Sequence, residues 1–126
     1  MKTTPRSLLP ALAAILIFSS CTSHYSARLD VHPASLDGKS RVIGFVSDKT
    51  TGEMLPGANI YIPGTNLGAQ TSIDGYYRID QIPPGRHRIQ VSRVGHYSVK
   101  DFEVLLEPDK LIRLDFEILE FPILVQ

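Results

Sequence analysis

The sequence contains one cysteine, no tryptophan and no excess of charge of either sign. One cysteine cannot close a disulfide within the chain and cannot form a thiolate zinc site. The 13 Lys and Arg residues are balanced by 13 Asp and Glu residues, so the chain has no strong field that would attract nucleic acid. We therefore predict no nucleic-acid partner. The length of 126 residues is enough for one small domain.

The sequence also lacks an apolar run long enough to cross a bilayer. The apolar run at the start covers residues 8–18, whereas a membrane-spanning helix needs about 20 apolar residues. Lys2 and Arg6 precede or border this run, and Ser19 and Ser20 follow it. A positive start, a short apolar stretch and small residues are the three parts of a secretory signal peptide. We therefore predict a signal peptide over residues 1–20.

The single cysteine, Cys21, ends the stretch "IFSSC", which resembles a bacterial lipobox although Phe18 and Ser20 are not the commonest residues at their positions. The resemblance implies that Cys21 is lipidated, becomes the mature N-terminus and carries acyl chains such as palmitate that anchor the protein in a membrane. Each buried methylene contributes about 0.8 kcal/mol to such an anchor. The alternative is cleavage near Ser20 with a free thiol left at Cys21. Thr22, where an Asp would signal retention, favours the outer membrane by resemblance to lipoprotein sorting rules, with the domain facing the periplasm.

Residues 21–40 are predicted to form the lipidated N-terminus and a flexible tether. Ser, Ala and polar residues dominate this stretch, and neither a period of 2 nor one of 3.6 is sustained. Under the alternative interpretation Tyr25, Leu29 and Val31 pack on the edge of the domain.

Residues 41–119 alternate between apolar and polar positions in about seven short runs. The clearest is "LIRLDFEIL", in which Ile112, Leu114, Phe116 and Ile118 share one face. Turn signals separate the runs every 8–12 residues, and one of them, Asp74-Gly75, favours a two-residue hairpin turn. We predict an all-β fold, a single antiparallel β-sandwich of seven strands. The apolar tail, residues 120–126, is predicted to add a strand edge or to contact a partner.

Short motifs occur in order along residues 41–119. They are Gly44-x-Val46-x-Asp48, Thr51-Gly52, Leu55-Pro56-Gly57-Ala58-Asn59-Ile60, Gly64-Thr65, Thr71 with Asp74-Gly75-Tyr76-Tyr77, Ile82-Pro83-Pro84-Gly85 and Val94-Gly95. In this order and spacing they resemble the carboxypeptidase regulatory-like domain. The resemblance implies a transthyretin-like (prealbumin-like) sandwich, a module that also occurs at the N-terminus of TonB-dependent outer-membrane receptors. A module of this kind implies a fold and no particular activity.

The four histidines of the chain are His24, His32, His87 and His96. None is followed three residues later by Glu, so the His-x-x-Glu pair of the zinc carboxypeptidases is absent. Gly-x-Ser-x-Gly, the P-loop and His-Glu-x-x-His are absent as well. We predict a chain that is not an enzyme, with no catalytic residue and no cofactor. One alternative stays open, in which His87 and His96 meet in space.

Two further groups of charged residues were considered as binding sites. Asp48, Asp74 and Asp80 are carboxylates in turns or at strand ends, but the calcium-loop pattern is missing, so we predict no metal site and interpret Asp48 and Asp74 as turn caps. The basic run that contains Arg86, Arg88 and Arg93 alternates with apolar residues. We interpret it as a solvated strand face, with an anionic partner or lipid headgroup as the alternative.

Together these patterns predict a non-catalytic, lipid-anchored interaction module of the cell envelope. Its expected partners are the membrane, through lipid on Cys21, and an envelope protein, for which a TonB-dependent receptor is the candidate. The alternative is a carbohydrate-binding sandwich at the cell surface. Since there is no Trp, the candidate aromatic platforms for a glycan are Tyr61, Tyr76, Tyr77 and Tyr97.

Overall fold

The computed structural model describes residues 24–122, which form a sandwich of two four-stranded β-sheets. The predicted signal peptide, the lipidation site Cys21 and residues 123–126 of the tail lie outside the described residues. The first sheet has the strand order β1-β8-β2-β5 and the second has the order β4-β3-β6-β7. The strands are β1 (Tyr25–Pro33), β2 (Ser40–Asp48), β3 (Asn59–Tyr61), β4 (Gly68–Gln70), β5 (Tyr76–Ile82), β6 (Gly85–Ser92), β7 (Val99–Leu106) and β8 (Lys110–Ile118).

The core lies between the two sheets and is built from alternate residues of the central strands. Successive side chains of a strand point to opposite faces, so an alternating strand buries one complete set of residues. On β8 the buried set is the predicted one, and the residues between its members are exposed or half-buried. Each sheet therefore has an inner face of Val, Ile, Leu and Phe and an outer face that is mostly polar. The β-sandwich fold is confirmed.

The predicted tether is wrong for residues 25–33, which form an eighth strand. β1 pairs antiparallel with β8 along its whole length, from Tyr25 opposite Ile118 to Pro33 opposite Lys110. The ring of Tyr25 is half-buried, with its centroid 6.4 Å from that of Phe102. The alternative interpretation is therefore correct for Tyr25, whereas Leu29 and Val31 stay exposed. β1 is held mainly by its backbone hydrogen bonds to β8. Because few of its side chains are buried, apolar and polar residues do not alternate clearly along its sequence.

The prediction of a wholly antiparallel sandwich is wrong for one central pair. β2 and β8 run parallel, from Ser40 opposite Lys110 to Asp48 opposite Ile118. Alternation shows which residues of a strand face the core, but it does not show which other strand lies beside it. The parallel pair joins strands more than 60 residues apart in the chain, so no hairpin signal marks it.

The Asp74-Gly75 turn forms, but it does not close a hairpin. Gly75 N–H donates to Ser72 O at 2.8 Å, and Gly75 adopts a φ of 79°, which glycine tolerates best. The strand before the turn, β4, belongs to the second sheet and the strand after it, β5, to the first. The predicted turn therefore carries the chain from one sheet to the other.

The strand directions define two ends of the sandwich. We call the end at which His24 leads into β1 the entry end. It contains the connections of residues 49–58, 71–75 and 93–98 and the C-terminal residues 119–122. We call the other end the far end, and the connections of residues 34–39, 62–67, 83–84 and 107–109 lie on its side of the sandwich.

Candidate functional site

An open groove of about 740 Å³ lies on the outer face of the second sheet. Outward-pointing side chains of β3, β6 and β7 line it, because the residues between them, such as Ile60 and Val91, point into the core. The polar and aromatic lining is formed by Asn59, Tyr61, Gln90, Ser92, Ser98 and Lys100. The groove is thus a feature of the regular part of the fold, and rigid strands position its side chains.

Tyr61 presents an exposed ring in this groove. Tyr61 lies opposite Gly68 of β4 on one side and Gln90 of β6 on the other. A side chain at position 68 would start only 2.8 Å from Ile60 O and 3.7 Å from Tyr61 Cδ1. Glycine at this position therefore avoids a clash and leaves that side of the ring uncovered. The Tyr61 residue remains 44% exposed, so a flat apolar face with a polar hydroxyl is available to a ligand.

The amide side chains around Tyr61 are held in place and keep hydrogen-bonding capacity. Gln70 Nε2 donates to Asn59 Oδ1 at 3.4 Å, and Gln90 Nε2 donates to the Lys100 carbonyl oxygen at 3.2 Å. An amide has two N–H donors and an oxygen that accepts two bonds, so one bond leaves most of its capacity unused. The groove can therefore bind a ligand that offers both hydroxyl groups and an apolar face.

The four tyrosines considered as aromatic platforms do not form one surface. Tyr77 is buried, and its hydroxyl donates to the Leu114 carbonyl oxygen. Tyr76 packs against Phe45 of the first sheet at a centroid distance of 5.5 Å. Tyr97 lies at the entry end. Only Tyr61 lines the groove, so a single ring is the platform there.

A buried carboxylate–imidazole pair, Asp48 and His96, was not foreseen from the sequence. His96 Nε2 lies 3.0 Å from Asp48 Oδ2, and both side chains are buried. Asp48 Oδ1 accepts the backbone N–H groups of Thr50 at 2.8 Å and Thr51 at 3.0 Å, which confirms its predicted role as a turn cap. The Thr51 amide, helped by His96 and Thr50, lowers the pKa of Asp48 against the opposing effect of burial. The pair therefore joins the end of β2 to the connection of residues 93–98.

His87 does not join His96. His87 Nε2 lies 2.7 Å from the Pro83 carbonyl oxygen at the far end, whereas His96 is at the entry end. The alternative in which the two histidines meet in space is therefore wrong. The side chains of the Asp48–His96 pair are only 5% and 4% exposed.

The three aspartates considered for calcium are likewise separated. Asp48 is bound to His96, Asp74 lies in an exposed turn, and Asp80 is bound by Arg41 and Arg78. Burial acts to raise the pKa of Asp80, but the hydrogen bonds from the two guanidinium groups lower it overall. Within residues 24–122 no three His, Cys, Asp or Glu side chains gather in a way that could hold a metal ion.

The arginines of β6 and the following connection have partners within the domain. Arg88 Nη1 lies 3.2 Å from Asp101 Oδ1, and Arg86 Nη1 lies 4.0 Å from a Glu103 carboxylate oxygen. Arg93 Nε donates to the Pro56 carbonyl oxygen at 2.8 Å. The acids of β7 thus balance the bases of β6 across an exposed sheet face, as the interpretation of a solvated strand face requires.

A model of the CarboxypepD_reg-like domain matches residues 42–124 of the chain. The chain belongs to this family. β1 lies wholly before the matched region, and β3 to β8 lie within it. In this CarboxypepD_reg-like domain the groove around Tyr61 and the Asp48–His96 pair are both built from residues of the matched region.

Solved structures of low sequence identity share the sandwich fold with this CarboxypepD_reg-like domain. One is a protein from Bacteroides uniformis for which carbohydrate binding has been proposed. It is 17% identical, with a TM-score of 0.50, over 67% of this chain and 43% of that one. Another is an interface mutant of the type II cohesin–X-dockerin complex from Acetivibrio cellulolyticus, 18% identical, with a TM-score of 0.43, over 58% of this chain and 56% of that one. The chain thus spans about half the length of these structures.

No curated protein matches the sequence at a significant level. Between residues 24 and 122 there is no helix with the length and apolar character needed to span a bilayer.

Proposed function

We propose that the chain is a non-catalytic binding module that is held at a membrane of the cell envelope by lipid on Cys21. The observation that favours binding over catalysis is the composition of the groove around Tyr61. Its lining offers a tyrosine ring, two amides, two serine hydroxyls and one ammonium group, and it contains no histidine and no carboxylate. The Asp48–His96 pair, which could serve acid–base chemistry elsewhere, is buried outside this groove.

The envelope location is supported by the sequence before the domain. The short apolar run of residues 8–18 and the lipobox-like "IFSSC" favour export and lipidation. Thr22 after the cysteine favours the outer membrane, with the domain in the periplasm. The CarboxypepD_reg-like fold also occurs in TonB-dependent receptors, so the partner we propose is an envelope protein, with such a receptor as the candidate.

Replacing the sulfur of Cys21 tests the anchor. We expect Cys21→Ser to abolish incorporation of labelled palmitate and to move the protein from the membrane fraction to the soluble fraction, because a hydroxyl at this position does not receive the lipid. Ser23→Ala is the matched control and should remain lipidated. A Cys21→Ser variant that still carries lipid and still sediments with membranes would refute the proposed anchor.

A second candidate function, carbohydrate binding, is favoured by the exposed ring of Tyr61 beside the amides of Asn59 and Gln90. Sugars present apolar C–H faces that stack on an aromatic ring, and hydroxyl groups that both donate to and accept from amides. Well-formed ligand sites combine an apolar surface with a few convergent polar groups in this way. A neutral glycan fits this lining better than an acidic one, since Lys100 is the single charged residue in the groove.

The test of carbohydrate binding is a glycan array followed by titration of the best ligand. We expect Tyr61→Ala to weaken binding by about tenfold, the equivalent of about 1.4 kcal/mol, because the stacking surface is lost. Leu105→Ala removes an exposed side chain of the same sheet outside the groove and should leave the affinity unchanged. An array without ligands, or equal affinities for wild type and Tyr61→Ala, would exclude this function for the groove.

A further inference from the structure

The connections at the two ends of the sandwich differ in their exposed apolar side chains, whereas the far end has such residues, Val31 and Leu105, only on its strands. Four exposed apolar side chains lie in the connections and the C-terminal segment at the entry end, where Val94 is 93% exposed, Ile73 82% and Phe121 47%. The fourth, Met54, is also exposed. The far-end connections contain no exposed large apolar residue. We call these four residues the entry-end rim.

The members of the entry-end rim are neighbours across different parts of the chain. Phe121 N–H donates to the Gly95 carbonyl oxygen at 2.8 Å, which brings Phe121 beside the connection that carries Val94. A Cβ built on Gly75 would lie 3.0 Å from Met54 Cβ, so the turn that carries Ile73 touches Met54. The rim thus consists of two pairs, Val94 with Phe121 and Met54 with Ile73, at the same end of the molecule.

The same end receives the chain from Cys21. The His24 carbonyl oxygen accepts Leu119 N–H at 3.0 Å, and the His24 ring centroid lies 4.3 Å from that of Tyr97. Tyr97 in turn packs edge-on to Phe121, with a centroid distance of 4.7 Å. Three residue steps separate Cys21 from His24, and a fully extended chain covers at most about 11 Å in three steps. A lipid on Cys21 therefore inserts within about that distance of a residue packed beside the rim.

We propose that the entry-end rim contacts the membrane leaflet into which the lipid on Cys21 inserts. This inference rests on the proposed lipidation and adds a second, non-covalent contact to it. Apolar residues next to aromatic rings are suited to the boundary between headgroups and acyl chains. Ile73 and Val94 project from turns, and a flat, fluid surface suits this shape better than a protein segment that needs a cleft. Met54 also borders a groove on the outer face of the first sheet.

This contact would fix the orientation of the domain. β1 has nine residues, and a strand rises about 3.3 Å per residue, so the far end would stand about 30 Å above the leaflet. The exposed acids of the far end, Asp37, Glu107 and Asp109, would face water and any partner that approaches from solution.

A fluorescent probe on the lipidated full-length protein tests the orientation. Lipidation consumes the only native thiol, so Val94→Cys and, as the far-end control, Glu107→Cys each provide one site for an environment-sensitive dye. In vesicles of phosphatidylethanolamine and phosphatidylglycerol we expect a blue-shifted emission and quenching by brominated lipid at position 94. At position 107 we expect the emission of a dye in water and no quenching.

Two further variants separate this contact from the anchor itself. A ten-residue Gly/Ser spacer between Ser23 and His24 has an average span of about 18 Å. It should reduce the quenching at position 94 while the protein stays in the membrane fraction. Adding Ile73→Glu to Val94→Cys should also reduce the quenching, whereas adding Leu105→Glu, at an exposed position away from the rim, should not.

Three outcomes would refute the membrane contact. The dye at position 94 could emit as in water although mass spectrometry shows acylated Cys21. It could be shielded only after an envelope extract is added, in which case the rim binds a protein. Equal quenching at positions 94 and 107 would show that the domain has no fixed orientation. Failure of the proposed function is distinguishable from all three, because Cys21 would then carry no acyl chain.

Discussion

Asp48 shows how one residue can serve as both a turn cap and a member of a buried pair. A carboxylate has two oxygens, and here one accepts two backbone N–H groups while the other faces His96. Leaving any of these groups without a partner inside the protein would cost desolvation free energy. The cap was predictable from the local sequence, because Asp next to Thr and Gly is typical of a turn. The pairing with His96 was not, since 48 residues separate the two.

Because the pKa of Asp48 is lowered in the folded protein, the free energy of unfolding should depend on pH. A group whose pKa is lower in the folded than in the unfolded state stabilises the fold above its unfolded pKa, which is near 3.8, and this contribution is lost as the pH falls through the folded value. We expect Asp48→Asn to reduce the free energy of unfolding by about 1–3 kcal/mol at pH 7. The difference from wild type should shrink below about pH 4. Urea titrations across this range measure both effects.

The control for this experiment is Asp74→Asn, which changes a carboxylate in an exposed turn at the same end of the sandwich. It should alter the unfolding free energy at pH 7 by much less. If Asp48→Asn and Asp74→Asn unfold at the same urea concentration at every pH, the buried pair does not stabilise the fold.

Gly44 and Tyr77 are cross-strand partners in the first sheet, and both lie close to the Leu114 carbonyl group of β8. They lie opposite one another on β2 and β5, and the Tyr77 hydroxyl donates to the Leu114 carbonyl oxygen of β8. A Cβ on Gly44 would overlap that same carbonyl group, so glycine is required for the close approach. Burial raises the pKa of Tyr77 well above its usual range, and the hydroxyl therefore stays a donor. Tyr77 and Ile79 lie on the same face of β5, and both are buried in the core.

At the scale of single elements, the strands that alternate clearly were predictable and the strand that does not was missed. All seven predicted strands are present as β2 to β8. Alternation arises when one face is buried and the other is solvated. β1 is an edge strand that contacts the second sheet through Tyr25, and seven of its nine residues are exposed. Its sequence therefore resembles that of a polar linker.

The sequence predicts which segments form strands better than it predicts which strands lie side by side. The groove around Tyr61 depends on β3 lying between β4 and β6, which places Gly68 and Gln90 on either side of the ring. Local sequence singled out Tyr61 as one of four aromatic candidates but could not select it. The selection follows from long-range pairing, which also buries Tyr77 and turns Tyr76 toward Phe45.

At the scale of the whole molecule, the folded unit begins earlier than both the sequence pattern and the family match indicate. The alternation begins at Arg41 and the family match at residue 42, yet the chain is integrated into the sheet from His24 onward. β8 is a central strand only because β1 covers its outer edge. Without β1, the long backbone edge of β8 would be open to water and to pairing with other chains.

Shortening the chain tests this boundary. We expect residues 41–126 to be much less stable than residues 24–126, because the nine residue pairs between β1 and β8 are lost and each net backbone hydrogen bond contributes roughly 0.5–1.5 kcal/mol. The exposed β8 edge should also make the shorter chain associate. Urea unfolding followed by circular dichroism measures the first effect, and size-exclusion chromatography the second. If the shorter chain is monomeric and unfolds at the same urea concentration, β1 is dispensable and the domain does begin at Arg41.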